Sequence, residues 1–267
     1  MSISRPPPVR SNVRKANTHL KACNLPSLTL YNARSLFPKI TSLVTDIDER
    51  ATDICCVTEV WEKISSKRHQ EKIEEMLELK GLKYISTPRR NGRRGGGAAI
   101  IVNLENFSLS KLNIKIPRLV ETVWGLLKPK KVDSARPIIV CCFYSPPNRK
   151  KNPGLIDHLT VTLQKLTKIH KNAGLIICGD RNHIEIQTFL ALDPTLKQLV
   201  TKPTHGNKTL DVVCTNLSAY YSESEILPPL TPDNPLLAAP SDHHALCARK
   251  AKKWKKLIAH SFLTKIV

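Results

Sequence analysis

Apolar residues along this chain fall into short runs that stop on polar ones. Leu175-Ile176-Ile177-Cys178 runs into Gly179-Asp180-Arg181-Asn182, Pro137 to Phe143 runs into Tyr144 and then Pro146-Pro147, and Asp53 to Thr58 runs into Glu59 and Trp61. Continuous apolar runs of this length predict strands covered on both faces. Ser27 to Tyr31 alternates and ends on Asn32, Leu210 to Cys214 carries Asp211 near its start, and Ser241 to Leu246 opens on Asp242-His243. Further strands are predicted near 83–87, 97–103, 107–114, 120–128, 197–201 and 223–227. Helical spacing appears at Ile40, Leu43, Val44 and Ile47. It recurs from Ser66 to Leu79, with Ile73, Met76, Leu77 and Leu79 as the buried side, and from Pro153 to His170, with Leu155, Leu159, Leu163, Leu166 and Ile169. Strand-rich halves with interspersed helices predict an α/β protein whose paired sheets stack with helices outside.

Length changes this picture little: 267 residues with 41% hydrophobic content support one sizeable core. The expected organisation is a basic, Pro-containing tail over 1–24, a single domain over 25–250 and a basic tail over 251–267. No run approaches the roughly 18 apolar residues of a membrane span, and the start lacks a signal-peptide apolar region. The expectation is therefore an intracellular protein without a membrane partner, nuclear rather than cytoplasmic. Eight cysteines without a C-x-x-C, most of them inside apolar strands, read as buried free thiols. Cys55/Cys56 and Cys141/Cys142, as strand neighbours, should face opposite sides of their sheets.

Charge changes the picture more. Forty-two Lys and Arg against 22 Asp and Glu give a net charge of +20. Such a surface binds polyanions through counterion release, in a largely sequence-independent way. The excess is clustered: Arg89, Arg90, Arg93 and Arg94 precede Gly95-Gly96-Gly97, Arg149-Lys150-Lys151 follow Pro146-Pro147, and Arg249 to Lys256 surround Trp254. A basic surface can also be merely solvated, so charge alone does not separate a nucleic-acid interface from a solubilising face.

The polar strand ends carry the chemistry. Strand exits are where open sheets collect ligands, and six of them here supply Asn, Glu, Tyr, Asp with Asn, Asp, and Asp with His. Asp180 alone reads equally well as a hydrogen-bonding turn residue. The full set reads as metal ligands, a general base, phosphate donors and an acid-histidine pair.

In their order, Asn32 in Tyr-Asn-Ala-Arg-Ser-Leu, Glu59 in Thr-Glu-Val-Trp, the triple glycine, Phe143-Tyr144-Ser145-Pro146-Pro147, Gly179-Asp180-Arg181-Asn182, Thr209-Leu210-Asp211 and Ser241-Asp242-His243 resemble the endonuclease/exonuclease/phosphatase superfamily. Asn-Ala-Arg-Ser-Leu, Tyr-Ser-Pro-Pro and Ser-Asp-His look most like its branch in non-LTR (LINE-type) retrotransposons. The resemblance covers about residues 27–248. It implies a DNase I-like four-layer sandwich of two mixed β-sheets packed face to face with helices outside. It further implies a Mg2+-dependent DNA endonuclease, with Mn2+ as a substitute ion, that nicks double-stranded target DNA to leave a 3′ hydroxyl. A reverse transcriptase, in trans or in a longer parent protein, would use that end, and the chain is expected to be a monomer. Two departures stand out: Arg181 sits where many relatives carry an aromatic or aliphatic residue, and Val60 separates Glu59 from Trp61.

Phosphodiester cleavage needs a hard cation, an in-line water and charge stabilisation at phosphorus. Glu59 suits direct Mg2+ coordination, with Asn32 and Asp242 as ligands or orienting groups. Asp180 would orient and deprotonate the water, and Asn182 would hold that water or the phosphate. His243 would donate to a non-bridging oxygen, kept protonated by Asp211, and Tyr144 would add a donor. Arg89, Arg90, Arg93, Arg94, Arg149, Lys150 and Lys151 would hold the DNA backbone. Arg181 either points into the protein or adds a cation at the phosphate.

Other histidines earn less. His244 should face away as a packing residue, His183 suits a surface loop, and His205 a turn; zinc on His183, His205 and His243 would require the fold to unite them. The Pro-rich loop from Pro228 to Pro235 is the candidate for substrate selection. Two rival readings remain: a phosphomonoesterase of the same fold acting on inositol phosphates or lipids, and an inactive remnant that binds nucleic acid without cutting it.

Overall fold

Two six-stranded sheets account for the apolar runs. The protein is described by a computed structural model over residues 25–62, 67–89, 95–130, 136–147, 154–236 and 238–251. Arg90, Arg93, Arg94, Arg149, Lys150 and Lys151 lie outside these residues, as do both expected tails apart from Ala251. In chain order the strands are β1 (Leu28–Asn32), β2 (Ile54–Thr58), β3 (Leu82–Thr87), β4 (Ala98–Asn103), β5 (Phe107–Lys111) and β6 (Glu121–Pro129). They continue with β7 (Ile138–Tyr144), β8 (Gly174–Asp180), β9 (Lys197–Gln198), β10 (Asp211–Thr215), β11 (Glu225–Leu227) and β12 (Ala245–Ala248). The helices are α1 (Ile40–Arg50), α2 (Lys67–Glu78), α3 (Leu155–Ile169) and the short α4 (Ile186–Leu190).

The first sheet has the order β11-β12-β1-β2-β4-β3 and the second β5-β6-β7-β8-β10-β9. Each contains one parallel pair, β1 with β2 and β7 with β8, and all its other pairings are antiparallel. The parallel pairs follow from their connections: α1 crosses from β1 to β2 and α3 from β7 to β8, as parallel neighbours require. Every residue of β1, β2, β7, β8 and β10 is buried, in keeping with strands covered on both faces.

Three apolar layers hold the sandwich together. Between the sheets lie Leu28, Leu30, Ile54, Cys56, Ile100, Val140, Cys142, Ile176, Cys178 and Val213. Outside the first sheet, Leu43, Val44 and Ile47 of α1 and Ile73 and Leu77 of α2 pack on Tyr31, Cys55, Val57 and Ile101. Outside the second, Leu155, Leu159, Leu163 and Leu166 of α3 pack on Trp124, Cys141, Phe143 and Ile177. At about 1.5–3 kcal/mol per fully buried Leu, Ile or Phe, these layers outweigh any surface contribution to stability. Cys55 and Cys56, and likewise Cys141 and Cys142, do face opposite layers, and the seven described cysteines are buried and free.

Several sequence expectations need correction. Met76 and Leu79 do not join the buried side of α2; Leu79 is 81% exposed, and Ile73 with Leu77 suffice to seat a helix at the sheet's edge. Ile169, in the last turn of α3, is likewise exposed, while His158 and Thr162 are buried. The strand expected over 107–114 stops at Lys111: the chain doubles back where Ile114 N donates to Leu112 O at 3.0 Å, although Leu112, Ile114 and Ile116 still pack against the outer layer. The strand expected over 197–201 keeps only Lys197 and Gln198 in the ladder. Asp242 and His243 lie in the turn before β12 rather than on it.

β8 comes unusually close to β7 at one point. A Cβ built on Gly179 would sit 1.9 Å from Phe143 O, so only glycine lets the strand reach Asp180 in this register. Gly179→Ala should therefore cost about 3 kcal/mol or more, at or beyond the upper end of overpacking penalties, read as a lowered urea midpoint. A midpoint unchanged from wild type would contradict this packing.

Candidate active site

Asn32 ends β1, Glu59 follows β2, Tyr144 ends β7 and Asp180 ends β8, so both parallel pairs deliver their polar residues at carboxyl ends on one edge of the sandwich. The register sets Tyr144 opposite Asp180, and Asp211, opening the antiparallel β10, opposite Asp180 on its other side. Tertiary contacts between β1 and β8, β2 and β7, and β2 and β8 bring the two sets face to face.

Asn32 is the link between them. Its Nδ2 donates to Glu59 Oε1 and to Asp180 Oδ2, both at 3.2 Å, while its Oδ1 accepts from Arg34 N. Glu59 Oε2 accepts from Trp61 Nε1 at 3.0 Å. Glu59 and Trp61 both have left-handed backbones (φ 53° and 57°), and buried Val60 between them packs into the core. The extra residue noted in the sequence thus turns both polar side chains to one side. Tyr144 is buried, and burial together with the charges of Glu59 and Asp180 holds its hydroxyl far above the usual phenol range. It stays a neutral donor at any physiological pH.

Asp180 is 1% exposed. Burial first, then the neighbouring Asp211 charge, hold its carboxyl well above the usual range, opposed by His243 and the backbone N–H of Asn182. That N–H donates to Asp180 Oδ1 at 2.9 Å, which is possible because Asn182 adopts φ 46°, a region Asn tolerates. The Asn182 Nδ2 donates to Ser145 O at 2.7 Å, leaving the amide with a second N–H to offer.

Asp211 and His243 form the second link across the sheets, with His243 Nδ1 2.7 Å from Asp211 Oδ2. Burial lowers the imidazole pKa, but the Asp211 hydrogen bond and charge, with Asp180 and Asp242 adding to them, outweigh it and raise the value to about 9. His243 is therefore a cation at neutral pH. His205 also stands here: its ring packs against His243 at 4.6 Å and its Nδ1 meets Asp242 O at 2.9 Å. The turn expected at His205 is present, but its place against the acid-histidine pair was not visible in the sequence.

Three supporting groups were also missed. Lys39 is fully buried, and its Nζ donates to the carbonyls of Ala33, Arg34 and Ser35, fixing the loop after Asn32 where Arg34 and Ser35 have positive φ. Buried Glu121 accepts from Gly97 N at 2.5 Å and from Arg89 Nε at 2.7 Å. Arg89, expected on the DNA backbone, is thus ion-paired below the triple glycine, its guanidinium 5.7 Å from the Tyr144 ring centre. Asp233, in the Pro-rich loop, accepts from the backbone N–H groups of Thr41 and Ser42 and so anchors that loop to the start of α1.

Arg181 points away from the site. Its Nη1 donates to Ile184 O at 2.6 Å and its Nη2 to Thr209 O at 2.8 Å, clipping the turn after β8 to the segment before β10. Asp242 is half exposed, 3.9 Å from Arg34. His183 and His244 are exposed; His244 contacts Leu227 O rather than packing inside. Among the described residues, the clusters that could hold a metal pair His205 with His243 and leave His183 out.

The donor set fits a hard divalent cation. Glu59, Asp180, Asp211 and Asp242 supply carboxylate oxygens here, and the buried Asp211 Oδ1 has no hydrogen-bond partner. Oxygen donors of this kind suit Mg2+ or Mn2+.

No family model matches the sequence, and no curated protein matches it. Solved structures do match the fold. The mannosyl-6-phosphatase Bt3783 of Bacteroides thetaiotaomicron VPI-5482 aligns with a TM-score of 0.61 at 15% identity, over 85% of this chain and 100% of that one. The endonuclease domain of TRAS1, a telomere-specific non-LTR retrotransposon, aligns at 0.57 and 14%, over 85% and 98%. An AP endonuclease from Archaeoglobus fulgidus aligns at 0.58 and 15%, over 85% and 99%. The chain thus has the DNase I-like fold of these structures, the four-layer arrangement its sequence leads one to expect.

A raised imidazole pKa contributes stability that is complete below about 6.5 and is lost as the pH rises through about 9. The melting temperature of the metal-free protein should therefore fall across that window, and Asp211→Asn should flatten the fall by returning His243 toward its ordinary pKa. Parallel pH profiles for the two proteins would contradict the pairing.

Proposed function

We propose that this chain is a divalent-metal-dependent phosphodiesterase, a DNA endonuclease of non-LTR retrotransposon type that nicks duplex DNA to leave a 3′ hydroxyl and a 5′ phosphate. The observation that carries this reading is the meeting of Asn32, Glu59, Tyr144, Asp180, Asn182, Asp211 and His243 on one edge of the sandwich. A net charge of +20 supports a nucleic-acid substrate over a small neutral one. The retrotransposon endonuclease domain and the AP endonuclease among the similar structures support a nuclease, and the phrases around Asn32, Tyr144 and Asp242 favour the retrotransposon type.

In this reading Asp180 takes a proton from the attacking water, a role suited to a carboxylate that burial holds above its usual range. The water oxygen bonds to phosphorus as the bond to the 3′ oxygen breaks, and that oxygen is protonated to the free hydroxyl. Asn182 holds the water or a phosphate oxygen through its second N–H. The His243 imidazolium donates to a non-bridging oxygen, and the neutral Tyr144 hydroxyl donates beside it, so charge building at phosphorus meets donors already in position. A hard cation, Mg2+ or Mn2+, held through Glu59, Asn32 and Asp242, would add Lewis-acid polarisation of the phosphate. Arg89, Arg90, Arg93, Arg94, Arg149, Lys150 and Lys151 are proposed to meet the DNA backbone, Arg89 while also bound to Glu121.

The purified chain should nick supercoiled plasmid with Mg2+ and stop when EDTA is added. Asp180→Ala and His243→Ala should each lower the rate by about a hundred- to ten-thousand-fold, the usual loss for a general acid-base group or an oxyanion donor. A folded parent that cuts plasmid no faster than Asp180→Ala, or that turns over inositol phosphates and leaves DNA intact, would overturn the reading.

A further inference from the structure

Beside the oxygen-lined centre lies a second group of possible ligands with different chemistry. One ligand atom each from His205, Asp242 and His243 lies within 4.8 Å of the other two. Each ring already uses its Nδ1, that of His243 on the Asp211 carboxylate at 2.7 Å and that of His205 on the Asp242 carbonyl at 2.9 Å. A ring whose Nδ1–H is tied to a carboxylate or a carbonyl presents Nε2 as its binding nitrogen. This is the support that metal-bound histidines ordinarily have. Both rings are therefore oriented in advance, and their packing at 4.6 Å keeps them side by side.

The third ligand and the route of entry are also present. The Asp242 side chain is half exposed, and among the described residues its ion-pair partner, Arg34, stands 3.9 Å away, so its carboxylate can turn without losing a close contact. Tetrahedral zinc with bonds near 2.0–2.1 Å separates its ligand atoms by about 3.3 Å, so atoms that lie within 4.8 Å of one another would draw together on binding, through rotation of exposed Asp242 and part-exposed His205. Two imidazoles and one carboxylate, with a fourth position open to water, form a donor set that favours Zn2+ and disfavours Mg2+.

We propose that His205, Asp242 and His243 bind a borderline-soft divalent ion of the zinc class, and that this ion switches the site off. The switch rests on the function proposed above, and its logic is steric and electronic. An ion on His243 Nε2 replaces the proton that would be donated to phosphate, and an ion on Asp242 withdraws a ligand from the hard-cation centre. His205 has no part in the hydrolytic chemistry, so the inhibitory ion can be weakened without touching that chemistry.

The test uses the full chain in saturating Mg2+, with Zn2+ binding followed by calorimetry and plasmid nicking followed in parallel. Co2+ serves as a visible-absorption reporter of coordination by nitrogen ligands. Wild type should bind one Zn2+ and lose nicking as it binds. His205→Phe keeps a ring against His243 but removes the nitrogens; it should weaken Zn2+ binding and raise the inhibiting Zn2+ concentration by the same factor, about tenfold or more. Its inhibition is read against its own nicking rate without Zn2+, and its melting temperature checks folding. Equal Zn2+ affinity in the two proteins, or no Zn2+ bound by wild type, would overturn the proposal. Equal inhibition of both would do the same, because it would assign the effect to displacement of Mg2+ at Glu59. If the chain binds Zn2+ through His205 but never nicks DNA, the metal site stands and the nuclease reading falls.

Discussion

Asn32 joins two carboxylates that belong to different sheets, and the rest of the site is arranged around the cost of that junction. Each carboxylate makes the other costlier to ionise, and the two Asn32 N–H bonds, at about 1.5–3 kcal/mol each to a charged acceptor, offset part of that cost. The surroundings supply the remainder: His243 is held as a cation by Asp211, Arg89 is ion-paired to Glu121, and Lys39 lies buried beneath the loop that follows Asn32. The parallel pairs make this layout possible, because their carboxyl ends emerge on the same edge.

Rigid support has a local signature. Arg34, Ser35, Glu59, Trp61 and Asn182 all have positive φ, a conformation that side-chain-bearing residues adopt only where the surroundings over-determine it. Each lies within two residues of Asn32, Glu59 or Asp180, or up to three in sequence for Ser35. Glycine serves where even that tolerance fails, at Gly96, where a Cβ would fall 2.2 Å from Glu121 Oε2, and at Gly179. The distortion is therefore concentrated where carboxylates have to be aimed, while the strands behind remain regular.

Much of this was legible in the sequence, and the boundary is physical. Continuous apolar runs identify strands buried on both faces, and a run that ends on Asn, Tyr or Asp marks a sheet edge; hence Asn32, Tyr144 and Asp180 could be found. Glu121 escaped because it begins its run. In an antiparallel neighbour the start of one strand lies beside the end of the next, as Glu121 does beside Tyr144, and sequence alone does not say which strands are neighbours. Lys39 escaped because a charge beside Ile40 looks like a solvated helix end until its ammonium is seen to cap three carbonyls. His205 could be read only as a turn residue or a conditional partner of His243, because their contact joins segments 38 residues apart. Met76 and Leu79 misled because helical spacing gives a stripe, not its width, and α2 lies on the margin of its sheet.

The order in which the chain supplies its pieces has a bearing on its synthesis. Leu28 of β1 pairs with Ala248 of β12, so the first strand described waits for the last before it gains a neighbour on that side. His243 arrives just ahead of β12, after Asn32, Glu59, Asp180 and Asp211 have all been made. A chain emerging from the ribosome can gather its carboxylates early, yet it lacks the imidazole until translation has almost passed the domain. Completion of the first sheet by β12 and arrival of the histidine thus fall together late in synthesis, and a prematurely terminated product would carry the acids without their histidine.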